Sequence, residues 1–374
     1  MITIGSLIML LYGVLLIWMA AGYFRLNKLK PETGLAKNKF SVIIPFRNEE
    51  KALPRLLQSI EQLKYPVEHF ELLFVDDASD DDSVLLVKDH FKNSTLNWQL
   101  LINRRVSQAP KKDAITLAVS VARFPWIVTT DADCELPESW LNCINSQIEQ
   151  ANPVMVCGPV KVSGKFSLVT TFQACENIAL QGITMGGFGW ARPLLSNGAN
   201  LAYRKDAFYE VEGFKGNDTI GSGDDMFLLD KFRKRYPGKV QFAKDAAAII
   251  ETSAHTAWRS VISQRVRWAA KTASQKDPWL MLISLMIFLT NLWLVIGLVW
   301  TAFNPELLIF YVGLFLLKLT VDLVFIAIIN LFFGLRIPLQ YLLPCSLLYP
   351  FISTAVAVRS IFGKYTWKGR QFNR

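Results

Sequence analysis

Hydrophobic residues are concentrated at the two ends of the chain, with alternating polar and hydrophobic stretches between them. Residues 2–24 carry no charged side chain, and between Trp279 and Val358 only four residues are charged: Glu306, Lys318, Asp322 and Arg336. A helix needs about 20 apolar residues to cross a bilayer. The pattern predicts a retained transmembrane anchor within residues 1–27 and a C-terminal membrane region, 276–374, with three hydrophobic segments near 279–302, 307–333 and 338–361.

Basic residues indicate on which side of the membrane the polar middle of the chain lies. Arg25, Lys28 and Lys30 follow the first segment, and the tail after the last segment is also basic. Because such flanks stay in the cytoplasm, we expect an integral protein of the plasma (inner) membrane with its polar domain in the cytoplasm. Three full crossings would put the basic tail outside, so either the tail breaks the rule or one segment lies in the interface. The proline-rich last segment is the candidate.

Short β-rich runs and helical patterns alternate in the first half of the polar region. Strands are predicted near 40–45, 70–75, 98–102 and 126–130, with helices near 52–63, 84–90 and 114–122. This alternation predicts an α/β domain with a Rossmann-like, mostly parallel sheet covered by helices on both faces. Periodicity weakens from 153 to 275, which we interpret as an extension of one domain that spans residues 28–275.

Composition agrees with a protein that is part membrane and part polar domain. The chain is 52% hydrophobic, with a mean hydropathy of +0.27 and a net charge of +9. No nucleic-acid-binding motif accompanies the charge, so we expect membrane lipid headgroups and a diphosphate, not nucleic acid, as its partners. The five cysteines lack any Cys-x-x-Cys spacing and are predicted to be reduced structural thiols.

Four aspartates follow predicted strands at the edge where ligands bind in such sheets. Asp76 and Asp77 follow the second strand, and Asp131 and Asp133 follow the fourth. Mg²⁺ and Mn²⁺ prefer carboxylate oxygens and can neutralise a diphosphate. We therefore predict Asp133 and Asp131 as metal ligands, Asp131 also as a donor contact, and Asp76 and Asp77 as contacts to a nucleotide. A polar turn is the alternative for Asp131 and Asp133. Helix capping is the alternative for the acids at 80–82.

Two further groups of polar residues have both a chemical and a structural interpretation. Lys111 and Lys112 precede a predicted helix, where a cation needs an anionic partner such as phosphate, although a solvated loop is the alternative. Asp224 and Asp225 follow Gly223 in a glycine-rich stretch. A carboxylate there could take the proton of an attacking acceptor hydroxyl, or one of the two could cap the helix that follows.

The string from Gln264 to Trp268 lies on a predicted helix near the membrane. Gln264 and Trp268 are four residues apart and share a face, to which Arg267 lies close. Tryptophan can stack on a sugar, and arginine can hold a leaving diphosphate. A basic amphipathic helix at the membrane interface is the alternative interpretation. Lys318 and Asp322, four apart in an apolar segment, can pair either for function or to tolerate burial.

The order of these strings resembles the membrane-embedded family 2 glycosyltransferases, which include cellulose, chitin and hyaluronan synthases and ceramide glucosyltransferase. The resemblance covers residues 39–272 and implies a GT-A fold, a UDP-sugar donor, Mg²⁺ or Mn²⁺, and inversion by direct displacement. It implies Asp225 as the general base, with Asp224 standing where the family customarily has glutamate, and Asn200 and Trp268 as acceptor-binding residues. The donor-binding residues that it implies are Pro45, Arg47, Glu49, Asp76, Asp77, Lys111, Lys112, Asp131, Gln264, Arg267 and Trp268.

Three functions are compatible with the sequence. The first is transfer of a sugar from a UDP-sugar to a growing β-linked glycan at the cytoplasmic face of the membrane. The second is transfer of one sugar to a lipid acceptor. The third is a catalytically inactive membrane scaffold, which is disfavoured because an acid stands at every position that the motifs require.

Overall fold

The protein forms two compact units. The computed structural model describes residues 2–29, 36–217, 221, 223–273, 277–362, 365–367 and 370–372. One unit, here the sheet unit, comprises Asn27–Lys161 and Leu195–Ser253, and the other, here the helical unit, comprises Met1–Leu26, Val162–Leu194 and Ala254–Arg374. The chain therefore leaves the sheet unit at residue 162 and returns to it at 195, whereas the sequence predicted one continuous polar domain.

The secondary structure contains twelve strands and twelve α-helices in the described residues. The strands are β1 (Phe40–Phe46), β2 (Phe70–Asp76), β3 (Trp98–Ile102), β4 (Trp126–Thr129), β5 (Cys134–Glu135), β6 (Met155–Cys157), β7 (Val160–Ser163), β8 (Leu201–Arg204), β9 (Val240–Phe242), β10 (Ile250–Ser253), β11 (Tyr365–Trp367) and β12 (Arg370–Phe372). The helices are α1 (Ile2–Arg25), α2 (Leu53–Glu61), α3 (Ser83–Phe91), α4 (Pro110–Val121), α5 (Trp140–Ala151), α6 (Leu168–Gly189), α7 (Lys205–Glu210), α8 (Asp224–Arg235), α9 (Trp258–Ala273), α10 (Pro278–Phe303), α11 (Leu308–Phe333) and α12 (Leu339–Phe362).

A seven-stranded sheet in the order β3-β2-β1-β4-β8-β6-β9 forms the sheet unit. The pairs β1–β2, β2–β3, β1–β4 and β6–β9 are parallel, and β8 runs antiparallel to both of its neighbours. The predicted α/β, mostly parallel architecture is confirmed. Because β1, β2 and β4 are parallel neighbours, the loops that follow them meet at one edge of the sheet.

Continuous burial explains why the central strands appear in the sequence as unbroken hydrophobic runs. Every residue of β2 is buried, and Phe40, Val42 and Ile44 of β1 pack in one core with Phe74 and Trp140. Strands with helices on both faces have no solvent-exposed side. This core fixes the positions of the strand ends, and therefore of the polar residues that follow them.

Helix α4 differs from its prediction at its N-terminus. The sequence pattern placed Lys111 and Lys112 in a loop before the helix, but α4 begins at Pro110 and both lysines lie in its first turn. Proline is well suited to the first helical position because its fixed φ is helical and its missing N–H would have no intrahelical partner there. The prediction of a loop at these residues was wrong.

Four helices of the helical unit are long and apolar enough to cross a membrane. These are α1, α10, α11 and α12, counted over the described residues. The last is continuous through Pro344 and Pro350, so the segment predicted as the weakest is still a helix of spanning length. Its orientation in a membrane stays a prediction.

Helix α6 packs against α1, α11 and α12, although its residues were predicted to extend the polar domain. Glycines permit the closest approach: a Cβ added at Gly189 would lie 1.8 Å from the backbone oxygen of Gly22, and one at Gly186 would lie 2.6 Å from that of Met19. Such small-residue contacts are characteristic of helices packed in membranes.

Candidate active site

The loops that follow β1 and β2 are held together by hydrogen bonds. Arg47 donates from Nη1 to the backbone oxygens of Asp77, at 2.8 Å, and Ala78, at 2.5 Å. The backbone N–H of Glu49 donates to Ser83 Oγ at 2.8 Å. Pro45 lies in β1, paired with Val75. Arg47 and Glu49 therefore shape the loop in which Asp77 lies, beside the sheet edge where a nucleotide was predicted to bind.

Asp77 is held in place at this edge by two other side chains. Its Oδ1 accepts hydrogen bonds from Arg105 Nε at 2.6 Å and from Asn103 Nδ2 at 2.9 Å, and its side chain is buried. The neighbouring Asp76 is also buried and accepts from the backbone N–H of Ser79 at 3.0 Å. Asn103 and Arg105 were not among the predicted site residues, although their place directly after the predicted third strand is a signal for them.

The acidic run after Asp77 serves the local loop structure. Asp81 accepts from the backbone N–H and the hydroxyl of Ser83 at 3.1 and 2.6 Å, and from the backbone N–H of Glu50 at 3.1 Å. Although burial acts in the opposite direction, these hydrogen bonds lower the pKa of Asp81. Asp82 is the N-cap residue of α3 without a side-chain cap. The predicted capping role thus belongs to Asp81 and not to the whole run.

Lys111 forms ion pairs with two carboxylates, one predicted to bind the metal and the donor and one from the predicted catalytic pair. Its Nζ lies 2.7 Å from Asp131 Oδ1 and 3.2 Å from Asp224 Oδ2. Burial acts to lower the pKa of Lys111, but Asp131 and Asp224 outweigh it and raise that pKa, so the ammonium stays charged. A Cβ at Gly198 would lie 2.7 Å from Asp224 Oδ2, so a larger residue there would displace this carboxylate. A single cation therefore brings the predicted metal ligand and the acid pair of α8 together.

Asp131 and Asp133 follow β4 on the short segment before β5. Asp133 Oδ1 lies 3.7 Å from Cys134 Sγ, and burial, with Asp133 and Asp131 nearby, raises the pKa of the Cys134 thiol. That thiol therefore stays protonated, and all five cysteines are buried and free, as predicted. Within the described residues no group of three metal-binding side chains occurs. The carboxylates of Asp131 and Asp133 nevertheless suit Mg²⁺ or Mn²⁺, because such ions are commonly held by one or two carboxylates together with substrate phosphates.

Asp224 and Asp225 form the first turn of α8. The residue before them, Gly223, is the N-cap and has φ of 85°, a conformation that favours glycine. Asp225 is buried, and its Oδ1 accepts from the backbone N–H of Met226 at 2.7 Å. Neither aspartate is the N-cap, but Asp225 accepts from an N–H of the first turn and so contributes to capping, and its catalytic role stays a prediction.

Asn200 and Lys112 are buried, and their side chains contact backbone groups. Asn200 Oδ1 accepts from Trp140 Nε1 at 3.0 Å, and its Nδ2 donates to the backbone oxygens of Pro159 and Ala248 at 2.8 and 2.9 Å. Lys112 Nζ donates to the backbone oxygen of Asn217 at 2.6 Å and lies 4.8 Å from the Phe227 ring centre. These contacts give both residues a structural role, and their implied binding roles stay predictions.

Removal of the Asn200 side chain should destabilise the sheet unit. Asn200→Ala leaves an indole N–H and two carbonyls without these partners, and each unsatisfied buried group costs about 1–3 kcal/mol. We expect a clearly lower melting temperature in a thermal unfolding experiment. Asn142→Ala is the control, because it removes a single, solvent-exposed hydrogen bond to the backbone oxygen of Lys64. Equal melting temperatures for the two variants would contradict the structural role of Asn200.

In the helical unit, the Gln264–Trp268 string lies on α9. It includes Arg265, which was not among the predicted site residues. Arg265 is buried, pairs with Glu176 and contacts Gln264 Oε1, and its guanidinium lies 4.3 Å from the Trp268 ring centre. Gln264, Arg267 and Trp268 are half-buried. Arg265 therefore orders the side chains of the predicted sugar-binding motif.

Comparison with known proteins places this arrangement in a family. The model described as glycosyl transferase family 2 matches residues 41–210, and the one described as glycosyl transferase family group 2 matches residues 126–352. The solved mannosyltransferase PcManGT from Pyrobaculum calidifontis, in complex with GDP-Man and Mn²⁺, has a TM-score of 0.60 at 16% identity, over 96% of this chain and 98% of that one. This likeness concerns the fold.

Curated relatives match over shorter parts. A probable glycosyltransferase, YdaM of Bacillus subtilis (strain 168), is 25% identical over 239 residues, 62% of this chain and 54% of the relative. The undecaprenyl-phosphate 4-deoxy-4-formamido-L-arabinose transferase of Proteus mirabilis (strain HI4320) is 34% identical over 104 residues, 27% of this chain and 30% of the relative. The chain thus spans between 30% and 54% of the length of these relatives. With the family models and the fold, they show that the chain belongs to glycosyl transferase family 2 and is an enzyme with a GT-A fold.

Proposed function

We propose that this enzyme transfers a sugar from a UDP-sugar to an acceptor hydroxyl, with inversion at the anomeric carbon and with Mg²⁺ or Mn²⁺. The observation that carries the proposal is the contact of Lys111 Nζ with both Asp131 and Asp224. The carboxylates proposed for the donor side and for the acceptor side therefore share one cation, which supports a single site for both substrates.

On the donor side, Asp77 would accept a hydrogen bond from the nucleotide, with Arg105 and Asn103 holding its carboxylate in place. Asp131 and Asp133 would hold the divalent ion, which when bound neutralises the diphosphate and makes it a better leaving group. Lys111 would contribute a second positive charge to the same diphosphate. The solved neighbour bound to GDP-Man and Mn²⁺ supports a nucleotide sugar and a divalent ion.

On the acceptor side, Asp225 would act as general base. The acceptor hydroxyl oxygen forms a bond to the anomeric carbon, the bond from that carbon to the diphosphate breaks, and the hydroxyl proton passes to Asp225. The nucleoside diphosphate leaves with the bonding electrons. Asp224, held by Lys111, would position the first turn of α8.

We also propose that the helical unit anchors the enzyme in the plasma (inner) membrane with the sheet unit in the cytoplasm. The four helices of spanning length support the membrane location, and the basic residues after α1 support the orientation. The family resemblance assigns Gln264, Arg267 and Trp268 on α9 to the sugar and the leaving group, and Trp268 also to the acceptor, and these roles stay predictions.

Two acceptors follow from this placement, a growing β-linked glycan and a lipid. Incubation of the purified enzyme with a labelled UDP-sugar and membrane lipids distinguishes them. A ladder of products supports glycan extension, and a single product extracted into organic solvent supports transfer to a lipid. The relative named as an undecaprenyl-phosphate transferase is consistent with a lipid acceptor.

Asp77→Asn should weaken UDP binding about 10- to 100-fold, because a hydrogen bond to a charged group contributes about 1.5–3 kcal/mol and each 1.4 kcal/mol is tenfold. Isothermal titration of UDP measures the change. Asp80→Asn is the matched control, since Asp80 is 76% exposed and pairs only loosely with Arg47, at 3.2 Å. If both variants bind UDP as the parent does, Asp77 does not contact the nucleotide.

A further inference from the structure

The segment between α7 and α8 in the sheet unit, residues 211–217 and here the α7–α8 loop, is built from tight turns. Three of its residues have positive φ: Glu212 at 56°, Gly213 at 46° and Gly216 at 84°. Such an angle is unfavourable for a residue with a Cβ, so Glu212 adopts it only where the surrounding structure holds the backbone. The conformation of this loop therefore depends on contacts from outside it.

Lys231 supplies such contacts from α8. Its Nζ donates to the backbone oxygens of Val211 at 3.2 Å, Gly213 at 2.7 Å and Lys215 at 2.8 Å. An ammonium group has three N–H donors, so the three carbonyl oxygens use its whole donor capacity. A neutral or apolar side chain of the same length could not replace it. The charged amine of Lys231 therefore gathers the backbone of the α7–α8 loop.

A second lysine attaches the end of the loop to α4. The buried Lys112 donates from Nζ to the backbone oxygen of Asn217 at 2.6 Å and lies 4.8 Å from the ring centre of Phe227 on α8. The adjacent Lys111 lies 3.2 Å from Asp224 Oδ2. The loop is thus held by α8 and by α4, and the first turns of these two helices carry the charged residues proposed for transfer.

The chain continues from this loop into the first turn of α8, where Asp225 lies. Gly223 precedes the turn as the N-cap with φ of 85°, and glycine itself restricts the backbone little. The first N–H groups of a helix have no intrahelical acceptor, so the geometry of this turn depends on the chain that enters it. The position of the Asp225 carboxylate therefore depends on the contacts that hold the α7–α8 loop.

From these contacts we propose that Lys231 is a positioning residue for sugar transfer. It binds the carbonyl oxygens of the α7–α8 loop, fixes the backbone that enters α8, and so holds Asp225 in place for the acceptor hydroxyl. The inference rests on the proposed function, in which Asp225 is the general base. It adds no chemical step, because Lys231 acts through the backbone.

Lys231→Met tests this role, because it keeps an unbranched side chain of similar length and removes the ammonium. We expect kcat for UDP release in the presence of membrane lipids to fall about 10- to 100-fold, since a displacement of about 1 Å at a reacting group can cost about 10²-fold in rate. KM for the donor and the affinity for UDP should match the parent, because Lys231 holds the loop and not the donor-side carboxylates. Isothermal titration of UDP gives this affinity, and its stoichiometry reports the folded fraction.

Lys234→Met is the matched control for this variant. Lys234 lies on the same helix, its side chain is 69% exposed, and it pairs with Asp230 at 2.6 Å. A helix pair of this kind contributes little to stability, so the control should retain the kcat of the parent. Equal kcat values for Lys231→Met and Lys234→Met would overturn the inference.

Chemical rescue separates the ammonium from other effects of substitution. In Lys231→Cys, alkylation of the new thiol with 2-bromoethylamine rebuilds an ammonium-bearing side chain of the length of lysine, whereas the five native cysteines are buried. Alkylation, verified by mass spectrometry, should restore most of the lost kcat and leave the parent unchanged. If the alkylated variant turned over no faster than the untreated one, the ammonium would have no positioning role.

A double-mutant cycle distinguishes positioning of Asp225 from general support of the fold. Lys231→Met is introduced into the parent and into Asp225→Asn, and kcat is measured for all four enzymes. If Lys231 acts through Asp225, its substitution should lower the residual kcat of Asp225→Asn by less than about twofold, because residues that act as a unit are not additive. The same factor in both backgrounds would overturn the inference. If Lys231→Met does not fold, Lys231→Gln, which keeps N–H donors without the charge, takes its place.

The same four enzymes separate this inference from the proposed function. If Asp225→Asn loses turnover and Lys231→Met keeps it, the positioning role is wrong and the transfer reaction stands. If Asp225→Asn turns over as the parent does, the general base is misassigned, and the positioning role is wrong with it.

Discussion

Asp225→Asn is expected to lower kcat for sugar transfer about 10²- to 10⁴-fold, the usual contribution of a positioned general base. Asparagine keeps the size of the side chain and can still accept the hydrogen bond from the Met226 N–H, but it cannot take the proton of the acceptor hydroxyl. Donor binding should be unchanged, because Asp225 is assigned to the acceptor side. Transfer kinetics at saturating donor, with UDP affinity measured separately, give the two values.

Asp230→Asn is the matched control for this variant. Asp230 lies on the same helix and pairs with Arg233 and Lys234 at 2.7 and 2.6 Å. Both pairs join residues three or four apart on one helix, and helix pairs of this kind contribute about 0.3–0.5 kcal/mol to stability. The control should retain parental turnover. If Asp225→Asn turned over as fast as Asp230→Asn, another residue would have to be the base.

The second large effect is expected at the proposed metal ligands. A divalent ion that stabilises the leaving diphosphate supplies several kcal/mol, and each 1.36 kcal/mol is tenfold in rate. Asp131→Asn and Asp133→Asn should therefore each reduce kcat/KM about 10²- to 10³-fold. They should also weaken the binding of Mn²⁺ in the presence of UDP, which electron paramagnetic resonance measures directly.

Glu135→Gln serves as the control for these two variants. Glu135 lies two residues after Asp133 and pairs with Arg55 at a partly exposed position. It should bind Mn²⁺ with UDP as the parent does. Full activity after removal of divalent ions by a chelator would contradict the role assigned to Asp131 and Asp133.

The sequence predicted β1 to β4 of the seven-stranded sheet but not β6, β8 and β9, and three of the four predicted strands, β1, β2 and β4, are buried almost throughout. Trp98–Ile102 was predicted to the residue, and the other three strands agree within one or two residues. Strand ends in a parallel sheet define the ligand edge, so Asp77, Asp131 and Asp133 could be placed there without a structure. Lys111 was assigned to the same site and does contact Asp131.

Long-range packing limited the rest of the prediction. Helix α6 has an apolar sequence that periodicity alone could not assign to one unit, and its glycines are explained only by the contact with α1. Asn200 and Lys112 lie beside polar motifs in sequence, yet their side chains bond to backbone groups that are distant in sequence. Arg105 and Arg265 were missed because their partners, Asp77 and Glu176, are separated from them by 28 and 89 residues.

Nucleoside diphosphate release tests the central claim most directly. The purified full chain in nanodiscs is incubated with a panel of UDP-sugars and with GDP-mannose, each with Mn²⁺ and with a chelator, and the released nucleotide is measured. The account predicts release of UDP from at least one UDP-sugar, dependent on the metal and strongly reduced in Asp225→Asn when an acceptor is present. A folded enzyme that releases no UDP from any donor, or that releases it equally without metal, would contradict it.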